Sequence, residues 1–316
     1  MALAGTSQAA TSDSASAYPA RPITFAVNAT PGGTADLVSR FVAKQLSLAW
    51  KVNVIVENHV GGGGVIGATH VIRSAPDGYT VLVAPSALGV RAGLDRKLPY
   101  NAVRDLAGIS LLAVTPSFLV VSPSLGVTSV EQLTALAKSK QDGVIYGSAG
   151  MGSTGHLHAA MFADNYGFKG VHAPYRGSPE VVNDVVAGRL AYAFAPGANA
   201  LPFARKGTER VVVLATTSTI GLKFADGKVP NPVEVLTRDI GDDWYAAFVP
   251  AGTPDEIRTK LSAEIARIIA MPEVRKSYLE IGAEPVSNTP KELDSMFNAY
   301  VERARKIGDD IGIKLN

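Results

Sequence analysis

The chain has 316 residues, 47% of them hydrophobic and 18% charged, with a formal net charge of +2 and no cysteine. Such a length carries a large core and about two ordinary domains, and the composition is that of a globular chain rather than a disordered or fibrous one. The near charge balance, with no basic stripe, argues against a nucleic-acid partner, and the missing thiols exclude cysteine catalysis, disulfides and thiolate metal sites.

The chain opens with "MALAGTSQAATSDSASAYPARP", which lacks the basic and apolar regions of a secretory signal. "SQAA" nevertheless resembles the small-residue tail of one, so an exported protein with a trimmed signal, Met1 having been added, is one reading. A flexible cytosolic terminus is the other. Either way residues 1 to 18 are expected to be a disordered remnant. No apolar run reaches the roughly 18–20 residues that span a bilayer.

Strand-like and helix-like segments then alternate. "ITFAVNA" (Ile23–Ala29) reads as a strand, "PGGT" as a turn, and "ADLVSRFVAKQLSLAW" as a helix with Leu37, Phe41, Val42 and Leu46 at helical spacing. "VNVIVE" (Val52–Glu57) is a second strand, "NHVGGGGVIGATHVIRSA" a glycine loop entering a helix, and "YTVLVAP" (Tyr79–Pro85) a third strand. Short apolar strands between helices predict a parallel sheet covered on both faces. "SLLAVTPSFLVVSP" (Ser110–Pro123) is too long for one strand and contains Pro116. Two strands are expected to meet near Thr115 and Pro116, at a crossing between domains.

Ser129 caps the next helix, "SVEQLTALAKS". "GVIYGSAG" is a strand entering "GSAGMGSTGHLHAA", and "GVHAPY", "LAYAFAP" and "RVVVLATT" are further strands. "RGSPEVVNDVVAGR" is a helix that turns Val181, Val182, Val185 and Val186 inward. "DWYAAFVPAGTP" (Asp243–Pro254) reads as the return crossing, with Pro254 opening one C-terminal helix. Thr289 and Glu292 form a capping box at the start of another. The expectation is an α/β fold of two Rossmann-like domains joined by two crossover segments. Residues 19–115 with 247–316 form the first domain and residues 116–246 the second.

The spacing G-x-G-x-x-G occurs at Gly150, Gly152 and Gly155, and again at Gly62, Gly64 and Gly67. A dinucleotide site also needs an acid ending the next strand. "GVHAPY" and "YTVLVAP" offer none, and Asp77 precedes the latter. No nucleotide cofactor is therefore expected, and Gly-Lys-Ser/Thr for a phosphate loop is absent too. A gentler role survives, because free N–H groups and a partial positive charge at a helix start bind carboxylate without a cation. Ser148, Ser153, Thr154 and Thr34 add hydroxyls. One such loop is explained by a turn and a cap. Two on opposed domains make a ligand cleft an equal reading.

Enzyme signals are thin. Of the five histidines, His156 and His158 lie two apart and cannot chelate one metal from a helix. G-x-S-x-G and H-E-x-x-H are absent. Ser153 and His156, three apart, suggest a cleft hydrolase as the alternative function, against a capping Ser and a packed His. Asp36 and Glu57 stand alone, and the helix dipole accounts for Asp36. Arg91 and Arg176 follow strand ends, where either clamps a distal carboxylate or is simply solvated.

"YPARPITFAV", "PGGTADLVSR", "VENHVGGGGVIGATHV", "APDGYTVLVAP", "LPYNAVRDL", "YGSAGMGSTGHL", "VHAPYRGSPEVVNDVVAGRL" and "VPAGTPDEI" together resemble the Bug-type substrate-binding proteins of tripartite tricarboxylate transporters. The resemblance runs in order from about Tyr18 to about Gly312. It implies a monomeric periplasmic Venus-flytrap protein without catalytic activity or cofactor, which captures a small organic acid and presents it to the membrane subunits of such a transporter. It also implies a carboxylate held by the loops Thr30–Thr34 and Ser148–Thr154, partly through bridging water.

The expected contact set is Asn28, Thr30, Pro31, Gly32, Gly33, Thr34, Ser86, Ala87, Ser148, Ala149, Gly150, Met151, Gly152, Ser153, Thr154, His156, Arg176, Ala195, Pro196 and Asn199. Relatives that bind amino acids carry an acid where this chain has Ala195 and Pro196, so a dicarboxylate or aromatic carboxylate without an amine is expected. "NATPGG" replaces the commoner "PFPAGG", adding Asn28 and Thr30 as polar contacts.

Overall fold

The computed structural model describes residues 18–226, 233–236, 241–313 and 315, so the expected remnant falls, up to residue 17, outside the described residues. Tyr18 is not part of a loose end. It is 2% exposed, its hydroxyl donates to Gly78 O at 2.8 Å, and its ring meets Tyr79 edge-on.

Two six-stranded sheets divide the chain. The first contains β1 (Ile23–Val27), β2 (Val54–Asn58), β3 (Thr80–Pro85), β4 (Leu106–Thr115), β11 (Asp243–Pro250) and β12 (Glu284–Pro285), in the order β12-β4-β11-β3-β1-β2. The second contains β5 (Ser117–Val121), β6 (Val144–Ser148), β7 (Gly170–Pro174), β8 (Tyr192–Pro196), β9 (Val212–Thr216) and β10 (Glu234–Val235), in the order β10-β9-β5-β8-β6-β7. The long apolar run breaks at Pro116 as expected, since proline has no N–H to give a ladder.

The sheets are mixed rather than parallel. β1 runs parallel to β2 and β3, but β11 is antiparallel to β3 and β4, and β5 antiparallel to β8 and β9. These two strands arrive from the other sheet, so no helical crossover forces them parallel. All of β11 belongs to the first sheet, which moves the return crossing upstream of the expected boundary at residues 246 and 247, to before Asp243.

The helices are α1 (Thr34–Trp50), α2 (Val65–Ile72), α3 (Ala87–Leu94), α4 (Ala102–Asp105), α5 (Val130–Ser139), α6 (Thr154–Tyr166), α7 (Ser178–Val186), α8 (Gly197–Ala204), α9 (Thr219–Ala225), α10 (Asp255–Ile269), α11 (Pro272–Glu280) and α12 (Pro290–Asp310). Val38, Val42 and Leu46 of α1 join Leu261 and Ile265 of α10 on one face of the first sheet. Leu88 of α3, with Phe297 and Val301 of α12, covers the other face. Each such side chain contributes about 1.5–3 kcal/mol when fully buried. Val181, Val182 and Val185 pack one face of the second sheet, with Val186 partly buried beside them. Ser129 and Thr289 accept the expected capping hydrogen bonds, and Pro254 is the residue before α10 rather than its first turn.

Candidate functional site

β1 and β6 hold equivalent places in their sheets, and each runs through a short loop into a helix. In the first loop Gly33 N–H donates to Thr30 O at 3.2 Å, and Gly32 N–H donates to the Asp36 carboxylate at 3.0 Å. Arg40 Nε donates to the same carboxylate at 3.0 Å. Burial pushes the Asp36 carboxyl upward, but the bonds from Arg40 and Gly32 outweigh it and hold the group below the usual range. Asp36 therefore does more than meet the helix dipole: it ties the loop to the helix. Asn28 Nδ2 donates to Gly64 O at 3.3 Å, fastening a second glycine loop beside the first.

The second loop is tied from beneath. Gly150 (φ +111°) and Gly152 (φ +76°) turn the chain through conformations that side chains rarely adopt. Ser153 Oγ accepts the His156 N–H at 3.2 Å, capping α6, and Gly152 N–H donates to His156 Nδ1 at 3.3 Å. Ser148 Oγ donates to Gly150 O at 3.0 Å and lies 2.6 Å from His172 Nε2. A proton on Nε2 satisfies both contacts. The His156 and His172 rings stack with centroids 4.1 Å apart, next to Tyr146. Burial lowers both imidazoles to about 4, and for His156 the neighbouring His172 adds to it.

A polar seam joins the two halves. Ser86 Oγ donates to Asp243 Oδ1 at 2.7 Å and meets Thr154 Oγ1 at 2.7 Å. Ser117 Oγ donates to Asp243 Oδ2 at 2.6 Å. Because Ser86 spends its proton on the carboxylate, Thr154 donates to Ser86. Arg91 Nη1 donates to Met151 O across the seam at 2.8 Å, and Nη2 pairs with Asp95 at 3.2 Å. A Cβ on Gly177 would lie 2.4 Å from Thr30 Oγ1, so a larger residue there would displace Thr30 where the loops meet.

Between the loops lies a cavity of about 800 Å³, within the range of small-ligand sites. Of the expected contacts, Asn28, Thr30, Gly33, Thr34 and Ala87 line it from the first half. Ala149, Gly150, Met151, Ser153, Thr154, Arg176, Pro196 and Asn199 line it from the second. Pro31, Gly32, Ser86, Ser148, Gly152, His156 and Ala195 do not reach the wall. Ser86, Ser148 and His156 instead fix the loops that do, and a Cβ on Gly152 would meet Leu315 at 2.4 Å rather than the cavity.

The cavity has wall residues that sequence reasoning passed over. Val60 to Gly64 form one side, and the run of four glycines after a strand was the available signal. Asp243 and Tyr245 also line it; an acid opening an apolar strand carries no pattern of its own. Buried polar atoms without a protein partner include Asn28 Oδ1, Thr34 Oγ1, Asn199 Oδ1 and Arg91 Nε, all on lining residues.

The hydrolase alternative fails on geometry. Ser153 Oγ faces a backbone N–H and His156 Nδ1 faces another, so neither is presented to its partner as nucleophile and base. Among the described residues no group of three or more His, Asp or Glu side chains could hold a metal ion. Among them, too, no helix is long and apolar enough to cross a membrane.

Comparison with known proteins agrees with this architecture. A family model described as "Tripartite tricarboxylate transporter family receptor" matches residues 38–313. Protein BugT of Bordetella pertussis is 30% identical over 305 residues, covering 96% of this chain and 93% of that one. The solved R. palustris protein Rpa4515 with adipate superposes with a TM-score of 0.84 at 28% identity, covering 94% of this chain and 99% of the other. MatC of Rhodopseudomonas palustris, with bound malate, shares the fold at a TM-score of 0.81 and 22% identity, over 92% of this chain and 99% of its own. The matched family is one of solute-binding receptors, not enzymes.

Proposed function

The chain belongs to the tripartite tricarboxylate transporter receptor family, and on that premise we propose that it is a periplasmic solute-binding protein. It captures a carboxylate-bearing organic acid between residues 19–115 plus 243–316 and residues 116–242. As a monomer it then delivers the acid to the membrane subunits of a tripartite transporter. The observation that carries this reading is the pair of loop–helix jaws facing each other across one cavity. Each jaw ends in a helix start, whose N–H groups and partial positive charge favour an anion. The adipate in Rpa4515 supports the ligand class.

The solute is an organic acid without an amine. Asp243 is the acid lining the cavity, and both of its oxygens already accept serine hydroxyls. An ammonium group would have to share a carboxylate that is buried in the seam and already hydrogen-bonded by two serines. On this reading the jaws, touching through Ser86–Thr154 and Arg91–Met151, are in their closed form. Opening is a hinge motion at the two crossings.

A thermal-shift screen of di-, tri- and aromatic carboxylates tests the reading. A true ligand at 100 times its Kd adds about 2.7 kcal/mol and raises the melting temperature in a dose-dependent way. A screen in which no carboxylate shifts the transition, while amino acids or nucleotides do, overturns it.

A further inference from the structure

We propose that Arg176 reads a second carboxylate, so that the solute is a dicarboxylate rather than a monocarboxylate; the inference rests on the carboxylate-binding reading above. The charged side chains lining the cavity are Arg91, Arg176 and Asp243. Two of the three are already committed. Arg91 spends one nitrogen on Met151 O and another on Asp95, leaving only its buried Nε without a protein partner, and its side chain is only 14% exposed. It is a strap between the halves with its charge balanced. Asp243 is turned into the seam by Ser86 and Ser117.

Arg176 is different. It lies two residues beyond the loop end of β7, and its side chain makes no ion pair or hydrogen bond among the described residues. Glu180, the acid nearest in sequence, accepts the Arg176 backbone N–H at 3.3 Å instead of the guanidinium. The next residue, Gly177, packs against Thr30 of the opposite jaw, which places this segment in the mouth between the two halves. Gly177 also precedes α7, whose start has no side-chain cap.

The charge balance fits two carboxylates. The starts of α1 and α6 supply about half a positive unit each, enough for one carboxylate held by neutral N–H and hydroxyl donors. A second carboxylate at the mouth then meets Arg176, the wall cation whose side chain has no partner among the described residues. A guanidinium is suited to it, since its planar fork takes a carboxylate through two parallel hydrogen bonds.

Titration calorimetry with length-matched pairs, adipate with hexanoate and glutarate with pentanoate, tests the assignment. The wild-type protein binds the diacid of a pair more tightly. Arg176→Gln weakens the diacid about tenfold, the worth of one charge-assisted contact at an exposed position, and changes the monoacid less than about twofold. Arg176→Lys recovers part of the loss, keeping charge without the fork. Arg91→Gln weakens both members of a pair alike, because it unties the seam. Equal loss of both acids in Arg176→Gln, or no loss of either, overturns the proposal. So does a diacid-selective loss in Arg91→Gln. If the wild-type protein binds neither diacid but does bind another carboxylate of the thermal-shift screen, the proposal fails alone; if it binds none of these acids nor any carboxylate of that screen, the carboxylate reading itself fails, and that failure shows before any variant is made.

Discussion

The two jaws share one plan and are fastened by opposite chemistry. β1 lies between β3 and β2, and β6 lies between β8 and β7; β11 and β5 enter beside them antiparallel. Yet the first loop is pinned by an ion pair, with Asp36 taking Gly32 N–H and Arg40. The second is pinned by two stacked neutral imidazoles under Ser148 and Gly152. The α1 start has no side-chain cap, whereas Ser153 caps α6. The sheet order fixes where a jaw goes; how tightly it is held is decided by a few side chains beneath it.

The largest effect is expected where the jaws meet. Gly177→Val introduces a Cβ 2.4 Å from Thr30 Oγ1, 3.0 Å from Thr30 Cγ2 and 3.2 Å from Thr30 Cβ, so Thr30 must shift to admit it. Overpacking of this kind costs about 1–3 kcal/mol, charged only to the closed form. Affinity for the best acid of the screen should fall about tenfold to a hundredfold, with the melting temperature of the unliganded protein little changed. Thr30→Gly in the same chain should restore most of it. Calorimetry showing full affinity in Gly177→Val would mean the jaws do not close against each other at this point.

The second expectation separates the jaws by acidity. The imidazoles lie near 4 when folded against an ordinary 6.5, so the unfolded chain binds more protons between those values. Stability is therefore full above about pH 6.5 and falls as the pH drops toward 4. Protonating His156 Nδ1 also turns the acceptor of Gly152 N–H into a donor facing it. The Asp36 carboxyl is held below its ordinary 3.8, so its contribution is present above that value and lost only at lower pH. At pH 5 both rings are still mostly neutral in the fold, so the cost appears as lower overall stability, and the second jaw itself charges only near pH 4. Denaturant unfolding from pH 7.5 to 4.5 should show a loss on the order of 2 kcal/mol for each of the two imidazoles. His156→Gln should remove about half of this slope, His172 keeping the rest, and Asp36→Asn should leave it unchanged. An undiminished slope in His156→Gln would remove that ring from the account.

What the sequence disclosed follows from how local the causes are. The break at Pro116, the cap at Ser129, the box at Thr289 and Glu292, and both glycine loops depend on neighbours within a few residues, and all are where spacing placed them. The direction of β5 and β11 depends on a partner sheet far along the chain. β11 is buried at every position, so nothing in its pattern marks where the first sheet resumes. The Ser86–Thr154 and Ser86–Asp243 contacts join residues 68 and 157 apart. His172 reads as an ordinary strand residue until the fold stacks it beneath Ser148. The two loops that enter the cavity wall were therefore legible, the rest of the wall was not, and Ser86, Ser148 and His156 read as contacts where the fold uses them as supports.

The smallest effect probes whether Ser153 belongs to the wall or to the support. Its Oγ accepts the His156 N–H, which is a cap, yet the residue also lines the cavity with a hydroxyl proton to spare. Loss of the cap in Ser153→Ala should cost about 1 kcal/mol and lower the melting temperature by a few degrees. Ser153→Asn, which keeps an acceptor for the N–H, should restore that stability. If support is the whole role, affinity moves by less than about threefold in both variants, since the loop is still held by His156 and Ser148. If both variants lose affinity about tenfold while Ser153→Asn regains its stability, the hydroxyl proton is a solute contact. The second jaw would then grip partly through a side chain, where the equivalent position in the first jaw, Gly33, has only backbone to offer.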